Sequence, residues 1–250
     1  MFSHMHRLAI ALTLVAATAA AQELPPVATT VVPVVGSTFG VSMARWLTDV
    51  EIVNESALPA DVAIELSSVP DAPIFFMTLG PGQTQRFTDI VGQAFGLEAA
   101  LSPLRVTTGG RRSVTVRANA YAVRGTDISP LQQIDAYGGE TWFPLRVLDG
   151  LAFSDELRTN IGLANLGDQD ADLVLGLQRV PGRNVAVTHI RVSAGTLIHT
   201  SIQTLFPMIT HGDGFSVVVE TSARQTHVYA SVIRNSDNAA KFITPRIGAR

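Results

Sequence analysis

The sequence contains no cysteine, and only 6% of its residues are aromatic and 16% charged. Without cysteine neither disulfides nor thiolate metal sites can form, so burial of apolar side chains must stabilise the fold. A net charge of −3 argues against nucleic acid and anionic lipid as partners. Beyond the N-terminal segment no apolar run reaches about 18 residues, so we predict no membrane insertion of the remaining chain.

The first 21 residues have the pattern of a secretory signal peptide. A weakly positive start at residues 1–7 precedes an apolar segment at residues 8–15, and small residues follow up to Ala21. We therefore predict cleavage after Ala21 and a secreted or periplasmic location. The apolar segment is too short to span a bilayer, and no cysteine follows it for lipid attachment.

One segment occurs twice, at residues 46–66 and 157–177, with a constant offset of 111 positions. Apolar residues alternate with polar ones in both copies, which predicts two strands joined by a turn, paired as a hairpin with an apolar inner face. We expect the residues common to both copies to serve folding. The identical positions are Thr48 and Thr159, Asn54 and Asn165, Ala60 and Ala171, Asp61 and Asp172, and Leu66 and Leu177.

The same period-two alternation, interrupted by glycine, proline and asparagine, continues through both halves of the chain. About seven strands in about 95 residues are typical of an antiparallel sandwich. We predict an all-β protein with a lead-in at residues 22–29, a first β-sandwich domain at 30–127, a linker at 128–140 and a second β-sandwich domain at 141–250. The pattern of residues 89–101 is ambiguous, and a short helical crossover is one interpretation.

Three strand patterns resemble those of a known group of proteins. The strings WLTDVEIVN and LRTNIGLAN, with the ending VYASVIRNSDNAAKFITP, look like exported bacterial repeat modules of the immunoglobulin-like or fibronectin-like type. The similarity extends over nearly the whole chain after the signal peptide. It implies tandem immunoglobulin-like sandwiches on a secreted or cell-surface protein, and it brings no catalytic residues to this sequence.

Three alternating carboxylates, Asp168, Asp170 and Asp172, resemble the opening of a calcium-binding loop. Leu173 stands where that loop needs glycine, and Arg179 stands where it needs glutamate, which excludes an EF-hand. The carboxylates are weak candidates for a looser calcium site, and a solvated turn is the favoured interpretation. We predict no metal and no cofactor.

The histidines that follow the signal peptide all lie in the second half, at His189, His199, His211 and His227. Their wide spacing and the absence of cysteine favour partly exposed strand residues over a zinc site, with His227 facing outward. No Gly-x-Ser-x-Gly motif occurs, and the first half has no histidine, so a non-catalytic scaffold is favoured. A secreted hydrolase is the alternative, and it requires His211 or His227 beside a serine and a carboxylate.

These features predict a non-catalytic structural or interaction module that binds an extracellular protein or a glycan through loops or sheet edges. The equivalent loops predicted at residues 36–44 and 148–156 are the first candidates. Trp46 is predicted to face the core, because Leu157 replaces it in the second copy. One alternative is a carbohydrate-binding or small-ligand-binding module, which clustered exposed aromatics would favour. Another is a periplasmic pilus-type chaperone, whose two domains are not close copies.

Overall fold

The structure, a computed structural model, describes residues 27–40, 43–109, 114–138 and 143–248. The predicted signal peptide lies outside these residues, as does Trp142. Within them the chain forms 19 strands and two short helices, which confirms the all-β class. Neither of these two helices is long and apolar enough to cross a membrane.

The elements divide into two consecutive units. The first unit contains β1 (Val27–Phe39), β2 (Arg45–Asn54), β3 (Ala60–Leu66), β4 (Phe75–Leu79), β5 (Thr84–Phe87), α1 (Ile90–Phe95), β6 (Ala100–Gly109), β7 (Val114–Arg124), β8 (Asp127–Ile128), β9 (Gln132–Ile134) and β10 (Tyr137–Gly138). The second contains β11 (Leu145–Phe153), β12 (Leu157–Asn165), β13 (Ala171–Val180), β14 (Arg183–Val192), β15 (Thr196–Ser201), α2 (Ile202–Leu205), β16 (Gly212–Glu220), β17 (Thr226–Arg234), β18 (Ala240–Ile243) and β19 (Arg246–Ile247).

Both units have the same strand order, and all their strand pairs are antiparallel. In the first unit one sheet runs β4-β3-β6-β1-β10 and the other runs β5-β2-β7-β9, with β8 also paired to β7. In the second unit the sheets run β14-β13-β16-β11-β19 and β15-β12-β17-β18. The sequence repeat is therefore a repeat of structure, and each unit buries one apolar core between its two sheets.

The repeated segment is an arch between sheets, so the predicted hairpin is wrong. β2 and β3 do not pair with each other, because β2 lies between β5 and β7 whereas β3 lies between β4 and β6. In the second unit β12 and β13 lie in different sheets. Val50 and Ile52 of β2 face Val62 and Ile64 of β3 across the core, and all four are at most 2% exposed. Alternation specifies which face of a strand is buried. It does not distinguish an arch from a hairpin, because strands in both bury one face.

The strand pairing also departs from the immunoglobulin arrangement that the resemblance implies. In an immunoglobulin sandwich the first strand pairs with the second, and the seventh pairs with the sixth. Here β1 pairs with β6 along most of its length, and β7 pairs with β2. The last residues of β1, Thr38 and Phe39, join it to β2 as well. Each unit is an antiparallel two-sheet structure with this different order.

The ends of the first unit differ from the predicted boundaries. β1 begins at Val27, before the predicted start at residue 30. The segment predicted as a linker, residues 128–140, contains β9, which pairs with β7, and β10, which pairs with β1. These strands complete both sheets of the first unit. The predicted crossover helix is confirmed as α1, whose N-cap residue Asp89 accepts a hydrogen bond from the Gly92 N–H.

A buried asparagine connects the two sheets in each unit. Asn54 and Asn165 are both fully buried. The Asn54 amide donates to the Leu58 carbonyl of its own turn at 2.8 Å and to the Leu79 carbonyl of β4 at 3.0 Å. Asn165 likewise donates to its own turn and, at 3.1 Å, to the Val192 carbonyl of β14. The repeated asparagine therefore ties each arch to the opposite sheet.

Three of the four other repeated polar residues, all except Asp172, also bond to the fold. Thr48 Oγ1 accepts from the Gly36 N–H of β1 at 3.0 Å, and Thr159 Oγ1 accepts from the Ala152 N–H of β11 at 3.2 Å. Both threonines are buried. Asp61 accepts from a threonine hydroxyl of β4 at 2.7 Å. Because the hydroxyls of Thr48 and Thr159 satisfy backbone groups where the first strand of each unit is irregular, these threonines serve the fold.

Candidate functional site

The second unit packs against the first through the outer face of its β15-β12-β17-β18 sheet. Tyr229 of β17 is 1% exposed and belongs to the apolar core of the first unit, where Leu197 and Phe242 also pack. Gln132 of β9 donates from Nε2 to Ser231 Oγ of β17 at 3.1 Å. This sheet is therefore covered on both faces, by its own core and by the first unit.

Three residues opposite one another in the ladder form what we call the docking row: Gly162 of β12, Tyr229 of β17 and His199 of β15. A Cβ atom at Gly162 would lie 2.0 Å from Tyr229 Cε1, so only glycine lets the ring lie across β12. The Tyr229 hydroxyl then reaches His199 Nδ1 at 2.9 Å. The ring also stacks on Phe242 with centroids 5.3 Å apart.

A cavity of about 310 Å³, the inter-unit cleft, separates the docking row from part of the first unit. Phe39, which is 65% exposed, lines it together with Trp46. Trp46 packs over Gly40 at the start of β2, where it is half-buried on the strand face of Thr48 and Val50. The residues that line the cleft include Phe39, Trp46, Leu101, Gln132 and Ile134 from the first unit and Arg158, Asn160, His199, Tyr229 and Phe242 from the second.

Most polar side chains of the cleft can donate and accept hydrogen bonds, and Arg158 can only donate. Arg158 donates to Asn235 Oδ1 at 2.7 Å and to Asn238 Oδ1 at 2.9 Å, and burial lowers its pKa. His199 is exposed to the cleft, and desolvation by the cleft walls lowers its pKa. No carboxylate belongs to the described residues that line the cleft.

The histidines do not converge on one site. His189 on β14 and His199 on β15 belong to different sheets. His211 Nε2 lies 3.6 Å from Asp155 Oδ1, but both side chains are exposed. His227 is 3% exposed, so the prediction that it faces outward into solvent is wrong. In the described part of the chain neither His211 nor His227 is hydrogen-bonded to a serine, which leaves no serine–histidine–carboxylate arrangement there.

The candidate calcium ligands are engaged in an ion pair or exposed. Asp170 accepts from Arg191 Nε at 3.0 Å and from the Ala194 N–H at 3.1 Å, and these bonds, the backbone one first, lower its pKa. Asp172 lies 4.0 Å from Arg191 and is 81% exposed. Asp168 lines an open groove. Among residues 27–40, 43–109, 114–138 and 143–248, no three His, Asp or Glu side chains are grouped as metal ligands.

The segments predicted as binding loops differ in their relation to the cleft. Much of residues 36–44 belongs to β1, and this segment does line the cleft through Phe39. Most of residues 148–156 belongs to β11, and none of these residues is on the cleft wall. Sequence reasoning missed Tyr229 and Arg158. Tyr229 stands out only when the outward positions of the two copies are compared.

Comparison with known proteins finds no family model that matches the chain and no similar curated protein. The class of the protein therefore rests on the architecture described above, which is a duplicated, antiparallel two-sheet unit with a cleft at the junction of the two copies.

Proposed function

We propose that this protein is an exported, non-catalytic interaction module that binds its ligand in the inter-unit cleft. The observation that supports this function is the cleft itself, since aromatic side chains and hydrogen-bond donors from both units surround about 310 Å³ at their junction. Ligand sites occur preferentially at such junctions and combine mostly apolar walls with a few polar groups.

The lining indicates the chemistry of the ligand. Phe39 and Trp46 offer apolar ring faces, on which a flat apolar group or the face of a sugar ring can pack. Arg158 supplies a cation whose described hydrogen-bond partners are neutral amides. A site with donors and no described carboxylate suits a ligand rich in oxygen acceptors better than a cationic one. An aryl glycoside combines both features and serves as the probe.

Tryptophan fluorescence can test this function. The chain has two tryptophans, so a Trp142→Phe variant leaves Trp46 in the cleft as the single reporter. Titration of this variant with a panel of 4-nitrophenyl glycosides should quench Trp46 saturably for at least one sugar. Adding Phe39→Ala should weaken that binding about tenfold or more, because a ring contact is lost.

The matched control is Phe76→Ala, which removes an equally exposed phenylalanine from β4, outside the cleft. It should leave the affinity unchanged. If no glycoside of the panel and no glycan on an array binds saturably, or if Phe39→Ala and Phe76→Ala behave alike, the cleft is not a binding site of this kind.

Export is tested separately, in the cell that makes the protein. We expect the mature chain to begin at Gln22 and to fractionate with the periplasm or the medium. Mass spectrometry of the intact protein from each fraction measures this N-terminus. A full-length chain starting at Met1 in the cytoplasm would contradict the export proposal without affecting the cleft.

A further inference from the structure

A second cavity lies at the junction of the units, outside the inter-unit cleft. We call it the Arg146 pocket, and its volume is about 140 Å³. It shares no lining residue with the inter-unit cleft. Its lining includes Tyr137 from the first unit and Arg146, His227, Thr244 and Arg246 from the second.

Arg146 is a buried cation with no counter-ion among the described residues. Its side chain stands on β11, and the residue is 5% exposed. Nη1 donates to Thr226 Oγ1 at a long 3.4 Å, and no described residue is a hydrogen-bond partner of Nη2. No carboxylate in the described part of the chain lies within 4.0 Å of it. A buried guanidinium left in this state is costly, because it has lost water without gaining an opposite charge.

The strand ladders show that this arginine is specific to the second unit. Arg146 pairs with Val219 of β16, and the corresponding residue of the first unit is Thr30, which pairs with Val106 of β6. The first unit therefore builds the same ladder position with a small neutral side chain. Because the fold does not need an arginine here, the buried charge calls for another explanation.

A second buried polar group that lacks a described partner lies in the same pocket. His227 is 3% exposed, and within the described part of the chain nothing bonds to its Nε2. Its ring stacks on Tyr137, with centroids 5.0 Å apart. Burial, together with the charges of Arg146 and Arg105, lowers the pKa of His227 to about 3, so the ring is neutral. In the Nε2–H tautomer it offers a donor to the pocket.

The other arginines near the pocket are already neutralised. Arg105, one of the two cations that act on His227, bonds to Glu65 at 2.5 Å. Arg246, on the pocket wall, bonds to Asp149. Arg146 is thus the cation of this pocket that is not neutralised by a described carboxylate.

We propose that the Arg146 pocket binds a small oxyanion, with the Arg146 guanidinium and the His227 Nε2–H as donors. Arginine is suited to this because its planar fork of N–H groups matches the oxygens of phosphate, sulfate and carboxylate groups. An oxyanion supplies the missing charge and satisfies both buried polar atoms. The proposal is independent of the cleft, and either site can fail without the other.

Thermal unfolding of the full chain can test this, with inorganic phosphate as the probe at constant ionic strength and sodium chloride as the reference. The unfolding midpoint of the wild type should rise with phosphate and follow a saturation curve, as expected for a ligand that binds the folded state. Arg146→Met should weaken the apparent affinity at least about tenfold, because a charge-assisted bond is lost. Without phosphate this variant should be at least as stable as the wild type.

Arg234→Met is the matched control, since it removes an exposed arginine paired with Asp237 outside the pocket. It should keep the full phosphate response. If Arg146→Met does not fold, two milder variants replace it. Arg146→Lys removes the planar guanidinium and His227→Gln removes the imidazole N–H, and each should show a weakened response to phosphate. Acetate in place of phosphate distinguishes a carboxylate site, which responds to acetate as strongly, from a phosphate or sulfate site.

Two results would overturn the proposal. One is a response to phosphate that is absent in the wild type or equal in Arg146→Met. The other concerns Glu140, which lies outside the described residues but near Tyr137 in the sequence. If phosphate stabilises only a Glu140→Gln variant, the anion of this pocket is a side chain of the protein and no external oxyanion is needed.

Discussion

Three residues at equivalent positions on the outer face of each unit differ in chemistry between the two units. In the first unit Glu51 lies between Arg117 and Arg86, and its carboxylate bonds to them at 2.8 and 2.6 Å, with both arginines exposed. In the second unit the docking row occupies these positions, with Gly162 in place of Glu51. A row of charged side chains favours a solvent-exposed sheet face, whereas the docking row lets its sheet pack against another unit. The inward-facing positions that are alike in both copies stabilise the fold of each unit. The outward-facing row determines whether the sheet packs against the other unit.

The largest effect should come from the tyrosine of the docking row. Tyr229→Ala removes a ring that is 1% exposed, so we expect the free energy of unfolding to fall by about 3–5 kcal/mol. Arg117→Ala, at the equivalent position, should cost less than about 1 kcal/mol because its ion pair is exposed. Urea unfolding measures both. Equal losses would mean that the two rows do not differ as described.

The repeated asparagines should instead behave alike. Asn54→Ala and Asn165→Ala each leave buried carbonyls without a donor, so each should lower the free energy of unfolding by about 2–3 kcal/mol. Urea unfolding under identical conditions compares them. A loss confined to one copy would show that the second asparagine has a role other than tying its arch to the opposite sheet.

A methyl group at the glycine of the docking row should be less damaging than loss of the tyrosine. Gly162→Ala forces the Tyr229 ring to move, since the added atom would lie 2.0 Å from it, and we expect a cost of about 1–3 kcal/mol. Glu51→Ala, its counterpart, breaks only ion pairs with exposed arginines and should leave the free energy of unfolding close to that of the wild type. The double variant Gly162→Ala/Tyr229→Ala should lose less than the sum of the single changes, because they share one contact.

Lowering the pH should reduce the stability of the second unit through His227. Its pKa is lowered to about 3 in the folded protein by burial, Arg146 and Arg105, whereas an unfolded histidine titrates near 6.5. Between those values the unfolded chain binds a proton that the folded chain excludes. Stability from this residue is therefore complete above about pH 6.5 and falls as the pH drops, by up to about 1.4 kcal/mol per pH unit.

His227→Gln removes this contribution. Unfolding free energies measured in chloride at pH 7, 6 and 5 should fall less steeply for the variant than for the wild type. Parallel profiles would show that His227 is charged in the folded protein or exposed to solvent. Tyr137, which stacks on His227, stays protonated over this range, because burial raises its pKa.

The sequence repeat predicted the two equivalent units and the buried faces of the repeated strands, and the separate pattern at residues 89–101 indicated helix α1, because each depends on a local pattern. It did not predict the partners of the strands. β2 and β3 alternate as the strands of a hairpin do, but they pair with different strands, and the buried Asn54 bonds across to the Leu79 carbonyl. Residues 128–140 carry turn signals, yet short strands such as β9 gain stability from long-range pairing that no local pattern records.

The candidate site was harder to predict, for a similar reason. Tyr229 and His227 occupy outward positions of β17, and a single sheet gives no sign that its outer face is covered. Replacement of Glu51 by glycine and of Arg117 by tyrosine between the copies is the signal that was available. It identifies the altered row, whereas the surface that covers the row becomes evident only from the packing of the two units.

A cross-link between the units tests the central claim, that the second unit packs its outer sheet against the first. Thr244, beyond β18, donates to the Asp135 carboxylate, beyond β9, at 2.5 Å, and both residues are exposed. The chain has no cysteine of its own, so Asp135→Cys/Thr244→Cys supplies the two thiols of the protein. Treatment with a short bis-maleimide should join them within one chain, at a yield independent of protein concentration. Asp135→Cys/Asp213→Cys, with the second thiol at the other end of the β11–β16 ladder, should stay unlinked. Free thiols in the first variant, or equal yields in both, would contradict the packing of the two units.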